Sequence, residues 1–515
     1  MNQHNLFAFN AKRSLRMTDL HVPRRITNHF LNLAVVFAAV VAGLSPHAVL
    51  AQLSGSYPSA PSMQMGSSTG GSSVVPNLSA PQNPFTGSVP EGKASATVLQ
   101  LSFKEAIDRG LRNNLGVLLQ SDSALSARGR KWTELSNLLP NLTTSTSENV
   151  VQENLAALGI RSPAFPTIVG PFGYFDTRVF LTQSVFNWRD LQREKGASRN
   201  ERAANFTVKD ARDLVVLAVG NSYLQTLASG ARVETAIAQV QTAQALYDKS
   251  ATQLAAGVSP QIDSLRARVE LQTRQQQLIL ARNDLAKQKL TLARTIGLPP
   301  GQEFVLSDSA PYEPLATLGL EQSLQRAYST RPDYQAAMEQ VRAAEYFRSA
   351  ASAERFPTLG INANYGDIGI TPGESHGTFT VAGSLNIPIF QGGKAHGDVL
   401  QAEAALKQSR QQLENLRGQI DYDVRTALLD LSAAAEQVEV ARSSVDLAAQ
   451  TLTQAKDRFS AGVADNLEVV QAQEAVAAAN ESYISSLYAH NLAKVELARA
   501  VGIAEEGVKQ YLKSK

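Results

Sequence analysis

Val424, Ala427, Leu431, Ala434, Val438, Ala441, Val445, Ala448, Leu452, Ala455 and Phe459 follow one another in alternating steps of three and four without a break. A period of 3.5 keeps one stripe of an α-helix against a neighbour and winds the pair into a left-handed supercoil. The same register runs earlier through Val219, Ser222, Thr226, Ser229, Val233, Ala236, Val240, Ala243, Tyr247, Ser250 and Leu254. Each stripe belongs to a predicted helix of about 65 to 70 residues, near 100 Å at 1.5 Å rise per residue. Large residues alternate with small ones along both, which lets partner helices approach closely. Taken alone, such a seam fits an ordinary soluble coiled coil as well as anything larger.

Both helices stop at the same motif, "LAAGVSPQID" from Leu254 and "FSAGVADNLE" from Phe459, 205 positions apart. Gly257 and Gly462 stand where a helix ends in a left-handed residue, a conformation that costs glycine nothing. Ser259 with Pro260, and Asp465 with Glu468 three residues on, then supply the start of the next helix. Each motif therefore predicts the tip of a helical hairpin. Both tips lie equally far along the chain from the strands described next, so they should meet at one end of the molecule.

The repetition extends beyond the tips. "LSFKEAIDRGLRNN" at 101 aligns with "LGLEQSLQRAYSTR" at 318, and "LSNLLPNLTTSTS" at 135 with "SAERFPTLGINAN" at 352. Later, "LARTIGLPPG" at 292 aligns with "LARAVGIAEE" at 497. A repeat this long indicates one duplicated supersecondary unit, 98–300 and 301–515, in the order helix, two short strands, very long helix, second helix. In the second copy Leu359, Ile361, Ala363 and Tyr365 alternate with Gly360, Asn362 and Asn364, and Phe379, Val381, Leu385 and Ile387 with Thr380, Ser384 and Asn386. The first copy places Phe175, Val179, Leu181 and Val185 against Asp176, Arg178, Thr182 and Ser184. Strict period two over 9 to 12 residues suits strands that cross a bilayer at a tilt, apolar side to lipid.

Composition narrows the function. Of 515 residues 48 are basic and 46 acidic, a net charge of +2, so no basic field exists to hold nucleic acid. The absence of cysteine excludes disulfides, thiolate metal sites and a cysteine nucleophile. Four of the seven histidines precede residue 50, and the rest show no metal or triad spacing. "QGGK" at 391 lacks the spacing of a phosphate loop and reads as a bend between strand and helix. No cofactor and no enzyme activity are expected. At the N-terminus Arg24 and Arg25, the run "FLNLAVVFAAVVAGL" and "HAVLAQ" read as a signal peptide, 1–51, cleaved after about Ala51. Residues 52–97 are rich in Ser, Gly and Pro and predict a flexible tether.

Four strands cannot close a barrel, and lipid offers an unpaired strand edge no hydrogen-bond partner. Such a chain has to assemble, and three copies would supply twelve strands. At this point the ordered set "NIPIFQGGKAHGDVLQAEAAL" at 386, the paired Ala-Gly-Val tips, the two "LAR" closings and the duplication resembles the TolC-like outer membrane efflux proteins over residues 98 to 505. The resemblance implies a homotrimer of mixed α and β class. Duplicated units contribute four antiparallel strands each to a 12-stranded transmembrane β-barrel in outer membrane lipid, continued by a long periplasmic α-helical coiled-coil barrel. It further implies the exit duct of a tripartite efflux pump or type I secretion system, with a periplasmic adaptor and an inner-membrane transporter as partners.

In that family acidic side chains one turn apart ring a periplasmic aperture at the tips. The matching positions are Glu468 and Gln471, with Asp263 in the first copy, Phe459 at a tyrosine position and Ala464 at the position of a cross-tip arginine. Glu468 also fits a capping-box acid, and Asp263 a charge that complements a helix dipole. The competing reading of the whole chain is a secreted coiled-coil scaffold whose strands merely cap helices.

Overall fold

The computed structural model describes residues 83–511 except residues 162, 309–311, 313, 316–318 and 465. The expected signal peptide, most of the expected tether and Asp465 lie outside these residues.

Nine helices and six strands are described: β1 Leu99–Leu101, α1 Phe103–Asn113, α2 Leu115–Ser136, β2 Asn141–Asn154, β3 Ile168–Phe186, α3 Trp188–Ala255, α4 Gln261–Ile296, β4 Phe304–Leu306, α5 Leu320–Thr330, α6 Pro332–Ser352, β5 Thr358–Gly369, β6 Ser375–Asn386, α7 Lys394–Ser460, α8 Asn466–Ala500 and α9 Ala504–Tyr511. The long helices α3 and α7 have 68 and 67 residues. Each copy carries two helices before its hairpin where one is expected from the sequence. Asn114 separates the first pair by ending α1 and accepting the Gly116 N–H through its side chain at 2.9 Å. Pro332 opens the second helix of the other pair, where its missing N–H costs nothing.

Apart from Ala395 and Ile420, nearer its start, the buried residues of α7 are Val424, Ala427, Leu431, Ala434, Val438, Ala441, Ala455 and Phe459, all from the stripe of period 3.5. Toward the tips the helices lie in the order α4, α3, α8, α7, and toward the sheet in the order α2, α3, α6, α7. The short helices thus share the length that α3 and α7 each span alone. The order leaves α4 and α7 at opposite edges. On α4 the residues Ile262, Leu265, Val269, Gln272, Gln276, Ile279, Asn283, Ala286 and Leu290, again spaced three and four apart, are all exposed. On α7 a second stripe through Tyr422, Leu429, Val440 and Leu447 is exposed likewise. Both edges therefore carry a heptad seam with nothing against it among the described residues.

The sheet has the order β2-β3-β5-β6, antiparallel throughout, so among the described residues β2 and β6 present unpaired backbone edges. Register aligns Thr144, Val179, Tyr365 and Phe379 in one row, and Leu142, Leu181, Ala363 and Val381 in another on the same face. Tyr365 and Phe379 are 67% and 75% exposed, as lipid-facing residues of a lone protomer should be. The opposite face carries Ser145, Ser147, Asn362 and Asn364 and an ion pair of 2.7 Å between Arg178 and Asp176, with Phe180 and Ile368 as its large apolar members. One side is fit for hydrocarbon and the other for water. The first hairpin exceeds the expected length, with 14 and 19 residues against 12 and 12 in the second.

Between sheet and tips lies the largest apolar cluster, where Phe103, Ile107 and Leu111 of α1, Val215, Val219 and Tyr223 of α3, Leu292 and Ile296 of α4 and Val495 of α8 meet. A parallel pair, β1 with β4, adds Leu101 and Phe304 to it. The described end of the supposed tether is anchored here instead of loose: Val89 N–H donates to Asn113 O at 2.9 Å, Glu91 N–H to Gly297 O at 3.2 Å, and Ser95 N–H to Gln302 Oε1 at 2.8 Å. Phe85, packed on the same cluster, supplies the apolar anchor that composition alone concealed.

Candidate functional site at the helical hairpin tips

Ala-Gly-Val recurs because each residue fills one place in a helix stop. Ala256 and Ala461 are the last residues near helical geometry, and Gly257 and Gly462 follow at φ +72° and +73°. Gly257 N–H donates to Leu254 O at 3.0 Å and Val258 N–H to Gln253 O at 3.0 Å; Gly462 and Val463 repeat the pair with Phe459 O at 3.2 Å and Arg458 O at 3.1 Å. This double reverse bond satisfies carbonyls that a helix end otherwise leaves bare. Val258 and Val463 end up 74% and 70% exposed, apolar points at the ends of both hairpins.

The two tips stand side by side, joined by a cluster of Leu246, Ala267, Ala455, Phe459, Val469 and Ala472 drawn from all four tip helices. Phe459 is 9% exposed, with the Lys249 ammonium 5.3 Å from its ring centre. It holds the hairpins together rather than facing open solvent. Asp263 is well covered too, its side chain 13% exposed, with the Ser259 hydroxyl donating to its Oδ2 at 3.2 Å and Arg266 3.9 Å away. Ser259 thus serves the Asp263 carboxylate, and Pro260, at the N-cap of α4, offers no side-chain bond to the helix. That corrects the expectation of a Ser259 cap, for the hydroxyl donates to the Asp263 side chain instead of capping the helix.

Glu468 and Gln471 lie in the first turns of α8. Gln471 is exposed, whereas Glu468 reaches across the hairpin to Arg458 at 3.3 Å. Neither tip motif marks this partner, since the resemblance implies a cross-tip arginine at the position held by Ala464. Its only signal is a basic residue in the last turn of α7, which also suits the helix dipole. One level above the tips Arg274 and Glu270 form a buried pair of 2.6 Å, and Gln473, 7% exposed, borders a cavity of about 230 Å³ between the two hairpins. The tip bundle is therefore packed at its end and loose just above.

Comparison with known proteins decides what such tips belong to. The family model described as outer membrane efflux protein matches residues 134–298 and again 323–503. The chain belongs to that family. It is a protein of the outer membrane, with a sheet suited to the bilayer and helices that extend into the periplasm. The toluene efflux pump outer membrane protein TtgF of Pseudomonas putida is 23% identical over 464 residues, 84% of this chain and 94% of the relative. The alkaline protease secretion protein AprF of Pseudomonas aeruginosa is 22% identical over 63% of this chain and 69% of its own. The crystal structure of VceC, an outer membrane protein of Vibrio cholerae, superposes with a TM-score of 0.67 at 18% identity, covering 78% of this chain and 96% of that one. Outer membrane efflux proteins form exit ducts, and the coarse activity of this chain is passage across the outer membrane.

Proposed function

We propose that three copies of the chain close into one continuous tube, a 12-stranded barrel above and a helical tunnel below, serving as the exit duct of a tripartite efflux pump or type I secretion system. The observation that carries this reading is the pair of unsatisfied edges at both levels. Among the described residues the sheet leaves one edge each of β2 and β6 without a partner, while the helical layer leaves the α4 seam and the second α7 stripe bare. A cyclic assembly joins β6 to β2 and α7 to α4 of the next copy in one operation. The scaffold alternative has no use for a sheet with one apolar and one polar face.

Asp263, Glu468, Gln471 and Phe459 are assigned to the periplasmic aperture in this reading, Glu468 and Gln471 as lining and Phe459 and Asp263 as the packing that holds the tips closed. Gly257 and Gly462 make the turns. The exposed Val258 and Val463 suit a periplasmic adaptor docking from below, and an inner-membrane transporter would deliver cargo through it. Relatives named for toluene efflux and for protease secretion span both cargo classes, small molecules and polypeptides.

Planar-bilayer recording of the purified protein tests the duct. Single-channel currents from a detergent-resistant trimer are expected, and a freely soluble monomer without conductance overturns the reading. Glu468→Ala leaves three Arg458 side chains unopposed at the aperture, so the reversal potential under a salt gradient should move toward anions. Unchanged selectivity removes Glu468 from the lining.

A further inference from the structure

The longer hairpin continues where the sheet stops. Pairing between β3 and β5 ends at Phe175 with Gly369, yet β2 and β3 stay paired up to Asn154 with Ile168. Seven further residues of β3 rise above the shorter hairpin, roughly 20 Å at 3.3 Å each. Within this extension the polar face of the sheet changes character. Below it, that face mixes the Asp176–Arg178 pair, Ser145 and Ser147 with Phe180 and Ile368; above, charge disappears from it, and the same alternation brings Tyr174 paired with Asn149, then Phe172 paired with Val151. From Leu155 to Phe175 the chain holds a single charged residue, Arg161.

At the tip beyond, the described residues form hydrogen-bonded turns. Leu155 N–H donates to Thr167 O at 2.9 Å, Ile160 N–H to Leu155 O at 3.0 Å, and the Asn154 side chain accepts from Ala156 and Ala157 N–H at 3.1 and 3.3 Å. It nevertheless presents Leu158, Ile160 and Phe165 at 64%, 49% and 62% exposure. A register shift between Val151 and Glu153 faces Gly170 at φ +107°, where a Cβ would lie 2.7 Å from Val151 O. Bulges of this kind bend a hairpin and re-aim its end.

We infer that the three β2–β3 hairpins fold over the mouth of the barrel and meet one another through Leu158, Ile160 and Phe165, an apolar constriction on the side opposite the helical tips. The inference rests on the trimeric reading above. Twelve strands tilted near 40° enclose a radius of about 12 Å, which the extension exceeds. Each hairpin reaches the axis, and the occupant that covers its apolar surface is the same hairpin of the other two copies. An inner face that loses its charge and gains Tyr174, Phe172 and Val151, and a tip with little charge, are what such a contact needs. Water is excluded from a passage lined in this way until pressure of cargo parts the loops.

The chain lacks cysteine, so one introduced thiol reports cleanly. Under copper-phenanthroline oxidation in proteoliposomes, Leu158→Cys should link two chains of each trimer and leave the third single. Gly373→Cys on the short hairpin, far from the axis, should stay unlinked. In bilayers, the double variant Leu158→Ser with Phe165→Ser should at least double the open conductance. A trimer band without the Leu158→Cys link, or a conductance unchanged in the double variant, overturns the inference alone. Loss of the trimer band overturns the assembly reading and takes the inference with it.

Discussion

His490 shows how one residue ties the helical waist to acidity. Its ring is wholly buried on α8, 5.1 Å from the Tyr312 ring, and both ring nitrogens lack a hydrogen bond. Burial, and secondarily the charge of Lys494, push its pKa from 6.5 down to about 4. The unfolded chain then takes up the proton first as pH falls, so this contribution to stability is whole above pH 6.5 and lost as pH drops through 4. Asp213 on α3 runs the other way: burial raises its pKa to about 6, so the folded chain gains from acidification between 6 and 4. Replacing His490 by Gln removes the first of these contributions and keeps the second. Between pH 7 and 4.5 the variant should gain about 2 kcal/mol per protomer over wild type, read from chemical-unfolding midpoints; parallel pH curves contradict the account. At the tips, Gly462 is open around its Cα but held at φ +73°. Gly462→Ala should cost about 1 kcal/mol from backbone strain alone, with Gly462→Asn costing less, and equal midpoints for all three proteins contradict it.

Helices and strands differ in how openly the sequence declares them. The inner seam of α7 is legible residue by residue because Val and Leu alternate with Ala, and the buried positions are those the period marks. The outer seam on α4 keeps the same period but is interrupted by Gln272, Gln276 and Asn283, so its apolar members look scattered until their shared exposure shows them on one edge. Ile279 on that seam is 67% exposed in the protomer. Ile279→Glu should therefore leave the protomer's helix content unchanged while the trimer falls apart at lower temperature, since three carboxylates would be buried at once. Circular dichroism with unheated gel electrophoresis checks this, and a trimer as heat-resistant as wild type refutes the use of that edge. The hairpins were half legible. Alternation marks β5 and β6, but the bulge at Val151 and the turn glycines blur β3, whose full 19 residues emerge only in the sheet. The Arg458–Glu468 pair is not legible in the sequence, because an ion pair across a turn leaves no period behind.

For the molecule as a whole, duplication, elongation and the side-by-side tips follow from spacing alone, since local period and glycine position fix where each helix runs and ends. What spacing does not convey is non-local pairing. The β1–β4 strand pair joins segments about 200 residues apart, and the anchoring of residues 83–97 depends on carbonyls of α1 and of the turn after α4. Charge across the waist is equally non-local: Arg331, nearly buried, bonds Asp333 at 2.6 Å and Asp423 of α7 at 3.0 Å, and Arg499 of α8 pairs with Asp210 of α3. These contacts make each protomer a firm stave, whereas its two sides are left open in both sheet and helices. Native mass spectrometry of the detergent-released protein is the most direct test of that incompleteness. Particles of three chains are predicted, splitting into pairs and singles only when the seam on α4 is broken; a particle of one chain, stable and uniform, contradicts the account.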